Sequence, residues 1–153
     1  MNCRTRLTNR SYLKPSHGYI EQVEVNWHPR CDDDTMPQNS YILQWATELM
    51  EAMDTFGRSI RLESDATKRR LADAGFVDIK EEVIRLPVNG WPSEPHGRET
   101  GRWFNLGMRL ACQPLSLAPC ARGRGKTPRE VKDLAENVRE EIFSTSVHAY
   151  CSL

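Results

Sequence analysis

The side chains with chemistry to offer fall in three places. Glu24, Asn26 and Trp27 stand at the carboxyl end of an apolar alternation, Tyr19 to Val25, that reads as a strand. Ligands of open α/β sheets bind beyond the carboxyl ends of strands, so a carboxylate, an amide and an indole there are candidates for substrate contact. The competing reading leaves Glu24 in solvent and Trp27 covering a sheet edge. Asn89, Trp91, Trp103 and Asn105 are the amide and aromatic types that line small-molecule pockets, although Trp103 also sits at a spacing that suits a helix core. His148 has the proton affinity of a general base near neutral pH, yet alone on a terminal strand it reads first as a structural group.

Other signals carry less. Asp32, Asp33 and Asp34 lack the following Gly and distal Glu of a calcium loop, so they read as a solvated loop and no metal site is expected. Gly123-Arg124-Gly125-Lys126-Thr127 ends like a phosphate loop, but the required first Gly falls at Cys120 and no strand precedes it. Arg122, Arg124, Lys126 and Arg129 form a basic cluster without interleaved aromatics, and the chain balances 21 basic against 21 acidic residues. Nucleic-acid binding is therefore not expected. The cysteines, Cys3, Cys31, Cys112, Cys120 and Cys151, are odd in number and widely spaced, which reads as free thiols in a reducing compartment. No run of about 18 apolar residues occurs and Met1 to Arg10 is followed by no apolar stretch, so neither a membrane span nor a signal peptide is expected.

The elements that must position these groups follow from periodicity. Residues 1–11 have no pattern and read as a tail, with one domain over 12–153. Leu13 to Gly18 is a turn leading into the strand Tyr19–Val25, which Trp27-His28-Pro29 ends. Ile42, Ala46, Leu49, Met50 and Met53 predict an amphipathic helix over 40–56, closed by Gly57. Ser64 and Asp65 are N-cap types for a short helix ending at Gly75, and Phe76 to Leu86 is predicted to be extended. Pro87, Gly90, Pro92 and Pro95 make a loop, Arg98 to Cys112 a helix, and Pro114 to Gly125 a second loop. Thr127-Pro128-Arg129-Glu130 is a capping box opening a helix with Val131, Leu134, Ala135, Val138 and Ile142 on one face, and Val147 to Cys151 begins a last strand.

That order is α/β, and two motifs sharpen it. Leu13-Lys14-Pro15-Ser16-His17-Gly18-Tyr19-Ile20-Glu21 resembles the entry into the fifth strand of class I methyltransferases, and Leu71-Ala72-Asp73-Ala74-Gly75-Phe76-Val77-Asp78-Ile79 their passage from helix into the sixth. Asp33 to Pro37, Arg85 to Pro92, Gly101 to Leu106 and Val147 to Cys151 are similar to stretches of the fungal LaeA-like methyltransferases of secondary metabolism. The resemblance runs from about residue 12 to 153. The family turn has two adjacent glycines where this chain has Ser16-His17-Gly18.

The resemblance implies a Rossmann-like class I methyltransferase fold in its C-terminal, substrate-side part. That part holds the fifth to seventh strands with flanking and inserted helices, and the sheet is incomplete. The last strand of that fold inserts antiparallel between two others. It further implies S-adenosyl-L-methionine as cofactor and a small-molecule or protein methyl acceptor. No Gly-rich strand-to-helix turn that would hold this cofactor is found in the chain, so no cofactor-binding residue is expected here. On this reading the chain is truncated and inactive alone, placed in the cytoplasm or nucleus, not secreted, and an exposed edge at Tyr19–Val25 favours self-association or a protein partner. The rival reading is a non-catalytic remnant acting as a protein-interaction module.

Overall fold

The computed structural model describes residues 17–153. The expected tail, Cys3 and most of the Leu13–Gly18 turn lie outside the described residues. Three strands and four helices follow in the order β1 (Asn26–Arg30), α1 (Tyr41–Thr55), α2 (Ser64–Asp73), β2 (Arg85–Pro87), α3 (Pro95–Arg124), α4 (Pro128–Glu141) and β3 (Tyr150–Ser152). The α/β class holds. The sheet order is β1-β3-β2, with β3 antiparallel to both neighbours.

The first strand is not where the alternation put it. Tyr19 is 85% and Val23 63% exposed, and the strand begins only at Asn26. What faces inward is Trp27, against the ring of Trp45, and the buried Pro29, while His28 and Arg30 point out. A proline inside a strand is tolerated because β1 is an edge strand, and the β1–β3 register is irregular between Asn26 and Arg30. Trp27-His28-Pro29 therefore forms the strand that it was expected to end. Likewise, only Arg85 and Leu86 of the expected 76–86 extension are strand, with Pro87 joining them from the expected loop, because Val77, Val83 and Ile84 find no covering layer and stay exposed. The ladder runs slightly past its ends: Ile84 and Leu153 exchange both backbone bonds at 2.8 Å, and the Val88 N–H reaches the Ala149 carbonyl at 3.0 Å.

Helix α1 agrees with its pattern. Ile42, Trp45, Ala46, Leu49 and Met50 are buried along one face, and each large side chain so placed contributes roughly 1.5–3 kcal/mol. The Ser40 hydroxyl accepts from the Leu43 N–H at 3.3 Å. Glu141 of α4 completes the cap, its carboxylate accepting from the Ser40 hydroxyl and the Tyr41 N–H, each at 2.5 Å. Helix α2 starts from Glu63, not from Ser64 or Asp65 as cap, and buries none of its residues. Ser64 instead donates to the carboxylate of Glu81, which also pairs with Lys68 at 2.6 Å. Gly75 takes the left-handed conformation, φ +85°, just after this helix, where a side chain would be strained.

The largest difference lies in α3. The expected helix Arg98–Cys112 is the middle of a 30-residue helix that runs through Pro114 and Pro119, so the Pro114–Gly125 loop does not exist. A proline inside a helix removes the donor to the carbonyl four residues back. Those carbonyls belong here to Leu110 and Leu115, both exposed residues, a placement that lets solvent stand in for the lost donor. The opposite side carries Gly101, Met108, Cys112, Ser116 and Cys120, a buried stripe of mostly small residues that lies against α1 and α4. Gly101 brings α3 onto the loop after β2: a Cβ at that position would fall 2.0 Å from the Asn89 carbonyl oxygen. The Thr127–Glu130 capping box is present in full, and α4 buries Val131, Ala135 and Val138, with Ile142 continuing the stripe. One core joins these helices to Val88, Val147 and Ala149 of the sheet layer.

Candidate functional site

Strands β1 and β2 run parallel to one another, both antiparallel to β3, so their carboxyl ends meet the amino end of β3. Three segments converge there: the loop Cys31–Asn39 after β1, the loop Val88–Glu94 after β2, and Val147–Ala149 before β3. His148 sits at the centre. Its imidazole Nδ1–H donates to Asp33 Oδ2 at 2.5 Å, its backbone N–H donates to Thr35 Oγ1 at 2.9 Å, and its ring stacks on Trp91 at 4.8 Å between centroids. Asp33 is fixed from behind by the Thr35 hydroxyl at 2.8 Å and the Cys31 thiol at 3.2 Å. In a neutral ring a carboxylate beside Nδ1 selects the tautomer that carries its proton there, and among the described residues Nε2 has no hydrogen-bond partner.

These donors, the His148 imidazole first and then Thr35 and Cys31, hold the Asp33 carboxyl well below the usual carboxylate range. A group depressed in the folded state stabilises fully above its unfolded pKa, about 3.9 for Asp, and that stabilisation fades as pH falls below it. Wild-type protein is thus expected to lose melting temperature more steeply than Asp33→Asn between about pH 4 and pH 2. Parallel acid limbs in a pH series of thermal melts would show that Asp33 is not so held.

Next to this cluster, Asp32 accepts from the Tyr150 hydroxyl at 2.9 Å and from Arg85 at 2.8 Å, and the Arg85 guanidinium lies 4.5 Å from the Tyr150 ring centroid. Asp32, followed by burial, raises the Tyr150 phenol pKa. Behind it, burial alone pushes the Cys151 thiol up to about 12, which leaves that sulfur an inert core atom.

The residues singled out from sequence divide by place. Trp91 and His148 come together at the strand ends. Asn89 lies beneath them, but its amide N–H donates to the Ser144 and Val147 carbonyls at 2.9 and 3.0 Å and its oxygen accepts from the Trp91 N–H at 3.0 Å. It braces the loop. Asn105 does the same from α3, donating to the Val88 and Ile142 carbonyls at 2.7 and 2.8 Å. Trp27 packs edge-on to Trp45, and Asn26 turns its oxygen to the His28 N–H. Glu24 is exposed and, among the described residues, takes a bond only from its neighbour Gln22. Trp103 stands apart on α3, 67% exposed, in a shallow groove with Pro95, Arg98, Glu99, Arg102 and Leu106. Asp32, Asp33, Thr35, Arg85 and Tyr150 were not singled out as site residues. The three acidic residues in a row read as solvated loop, and only the fold shows Asp33 facing His148 and Asp32 facing Tyr150.

Among the described residues no group of His, Cys, Asp and Glu could hold a metal ion, and no helix is long and apolar enough to cross a membrane. The fit to S-adenosylmethionine can be tested on the two turns that lead from a strand into a helix, Cys31–Ser40 into α1 and Val88–Glu94 into α3. The first contains no glycine and the second only Gly90, and each helix N-terminus is already filled by a carboxylate, Glu141 at α1 and Glu94 at α3. Neither turn fits the cofactor.

No family model matches the chain, and no solved structure matches it. Curated relatives do. The chain is 62% identical over 141 residues to the protein-methionine methyltransferase laeA of Chaetomium globosum, covering 92% of this chain and 44% of that protein. It is 40% identical over 146 residues to the secondary metabolism regulator LAE1 of Pyricularia oryzae, covering 94% of this chain and 44% of the relative. To the secondary metabolism regulator laeA of Fusarium oxysporum f. sp. lycopersici it is 38% identical over 142 residues, 93% of this chain and 45% of the relative. The chain spans under half the length of these relatives, and over that span it is similar to the fungal LaeA-like proteins.

Proposed function

We propose that this chain forms the acceptor-side part of an S-adenosylmethionine-dependent methyltransferase domain of the LaeA-like type, over residues 12–153, and that its cellular role lies in secondary metabolism or its regulation, in the cytoplasm or nucleus. The observation that carries the reading is the sheet order. A last strand inserted antiparallel between two others is what the resemblance implies, and on this proposal β1, β2 and β3 stand for the fifth, sixth and seventh strands in turn.

The acceptor would approach the carboxyl ends of β1 and β2, where Trp91, His148 and Asp33 stand. The Chaetomium relative bears the name of a protein-methionine methyltransferase, and a protein side chain is the first acceptor class to test here. A thioether sulfur carries no proton, so with that acceptor His148 orients and does not act as a base. A hydroxyl or amine acceptor would bring its open Nε2 into play.

Calorimetric titration with S-adenosylhomocysteine tests the reading in two parts. The chain alone is expected to bind no tighter than on the order of millimolar. The chain joined to the part of the Chaetomium relative outside the matched segment is expected to bind on the order of micromolar. Micromolar binding by the chain alone would overturn the claim that its residues lack the cofactor site. No binding by the joined chain would overturn the methyltransferase reading.

A further inference from the structure

We infer that the outward face of α3 is a docking surface for an acidic amphipathic helix of another protein, an inference that does not depend on the methyltransferase reading. Trp103, Leu106 and Leu110 follow one another at spacings of three and four residues, so they form one stripe. They are 67, 47 and 69% exposed. Phe143, just beyond α4, is 70% exposed and lies against Arg109, whose guanidinium is 5.5 Å from its ring centroid. Isolated exposed apolar residues need no explanation, but three large ones in one stripe do. Packing among the described residues does not account for them, because α3 meets α1, α4 and β2 through its other side, along Gly101, Met108, Cys112, Ser116 and Cys120.

The charges beside the stripe select the occupant. Arg98, Arg102 and Arg109 follow at spacings of four and seven along the neighbouring ridge, and among the described residues none of them pairs with a carboxylate. Arg98 is held by the Pro92 and Ser93 carbonyls, which fixes it at the head of the groove with its charge uncancelled. Among the described residues that line the groove, the acid is Glu99. Glu94 nearby is turned back to cap the His96 and Gly97 N–H groups. Three cations against one free carboxylate, beside a Trp and two Leu, complement a helix with an apolar stripe flanked by Asp or Glu. Trp and Arg are also the side chains that most often dominate interface energy.

The test uses the intact 153-residue chain and a fluorescent peptide about four helical turns long, with Leu at positions i, i+3 and i+7 and Glu on both flanks. A second peptide carries Lys in place of each Glu. Fluorescence anisotropy is expected to give a dissociation constant on the order of tens of micromolar for the acidic peptide, weakening with salt, and at least about tenfold weaker binding for the basic one. Trp103→Ala and Arg102→Glu should each weaken the acidic peptide about tenfold. Both positions lie outside the core, so unchanged melting temperatures will show that these variants remain folded. Equal binding of both peptides, no binding, or unaltered affinity in Trp103→Ala would overturn the proposal. So would a concentration-dependent dimer, seen by sedimentation, that Trp103→Ala abolishes, since the face would then belong to a second copy of the chain.

Discussion

Gly101→Val should abolish the native fold or cost about 3 kcal/mol or more, the upper end of what overpacking does to a core. The added Cβ would lie 2.0 Å from the Asn89 carbonyl oxygen, 2.8 Å from its carbon and 3.1 Å from Pro87 Cβ. Two of these atoms are backbone, so no rotamer change relieves the contact. Either α3 must lift away from β2 or the 88–91 loop must move, and that loop is the one Asn89 ties to Ser144 and Val147. A second glycine in the same helix provides the control. A Cβ on Gly107 meets nothing within 4 Å, so Gly107→Ala is expected to stabilise by about 0.5–1 kcal/mol through helix propensity alone. Chemical denaturation midpoints of opposite sign for the two variants would bear this out. An unchanged midpoint for Gly101→Val would mean that α3 does not approach β2 as described.

The other large effect is expected at Trp45. It is 1% exposed, its ring stands edge-on to Trp27 at 5.9 Å, and its indole N–H donates to the Cys112 carbonyl at 3.1 Å and the Ser116 hydroxyl at 3.3 Å. One side chain thus joins α1 to both β1 and α3. Trp45→Ala should cost about 3–5 kcal/mol, a large share of the roughly 5–15 kcal/mol that separates folded from unfolded domains. Trp103→Ala removes the same side chain from an exposed position and should stay within about 0.5 kcal/mol. Equal loss of denaturation midpoint in the two variants would contradict this assignment of core and surface.

How far the sequence was legible can be followed residue by residue. Helices α1 and α4 were readable because their apolar residues recur on one face and their caps, Gly57 and Thr127-Glu130, are local chemistry. Strand positions were not, because Tyr19 and Val23 have strand-forming side chains with no layer to cover them, while Pro29 argues against a strand and is buried in one. Helix α3 was cut short at Pro114 because a proline is a stop signal unless packing on the opposite face overrides it, and that packing comes from residues distant in sequence. Of the candidate site, the sequence offered Trp91 as a pocket-lining aromatic and His148 as a possible base, and the fold stacks the two rings against each other. Asn89 and Asn105 were read as pocket amides because their residue type does not reveal whether an amide faces a ligand or a main-chain carbonyl. Asp33 was set aside since its partner lies 115 positions away.

The strand order carries a consequence for how the protein is made. The central strand of the three is the last to be synthesised, and Asn26 must wait for Ser152 before it can pair. At roughly 5–20 residues per second, that interval is on the order of ten seconds. Throughout it the helices can form from local contacts, while β1 and β2 have no strand between them and their edges are open to other chains. Yield of native protein in cells should therefore depend on what shields Asn26–Arg30 during translation, and slower synthesis of α3 and α4 would lengthen that exposure.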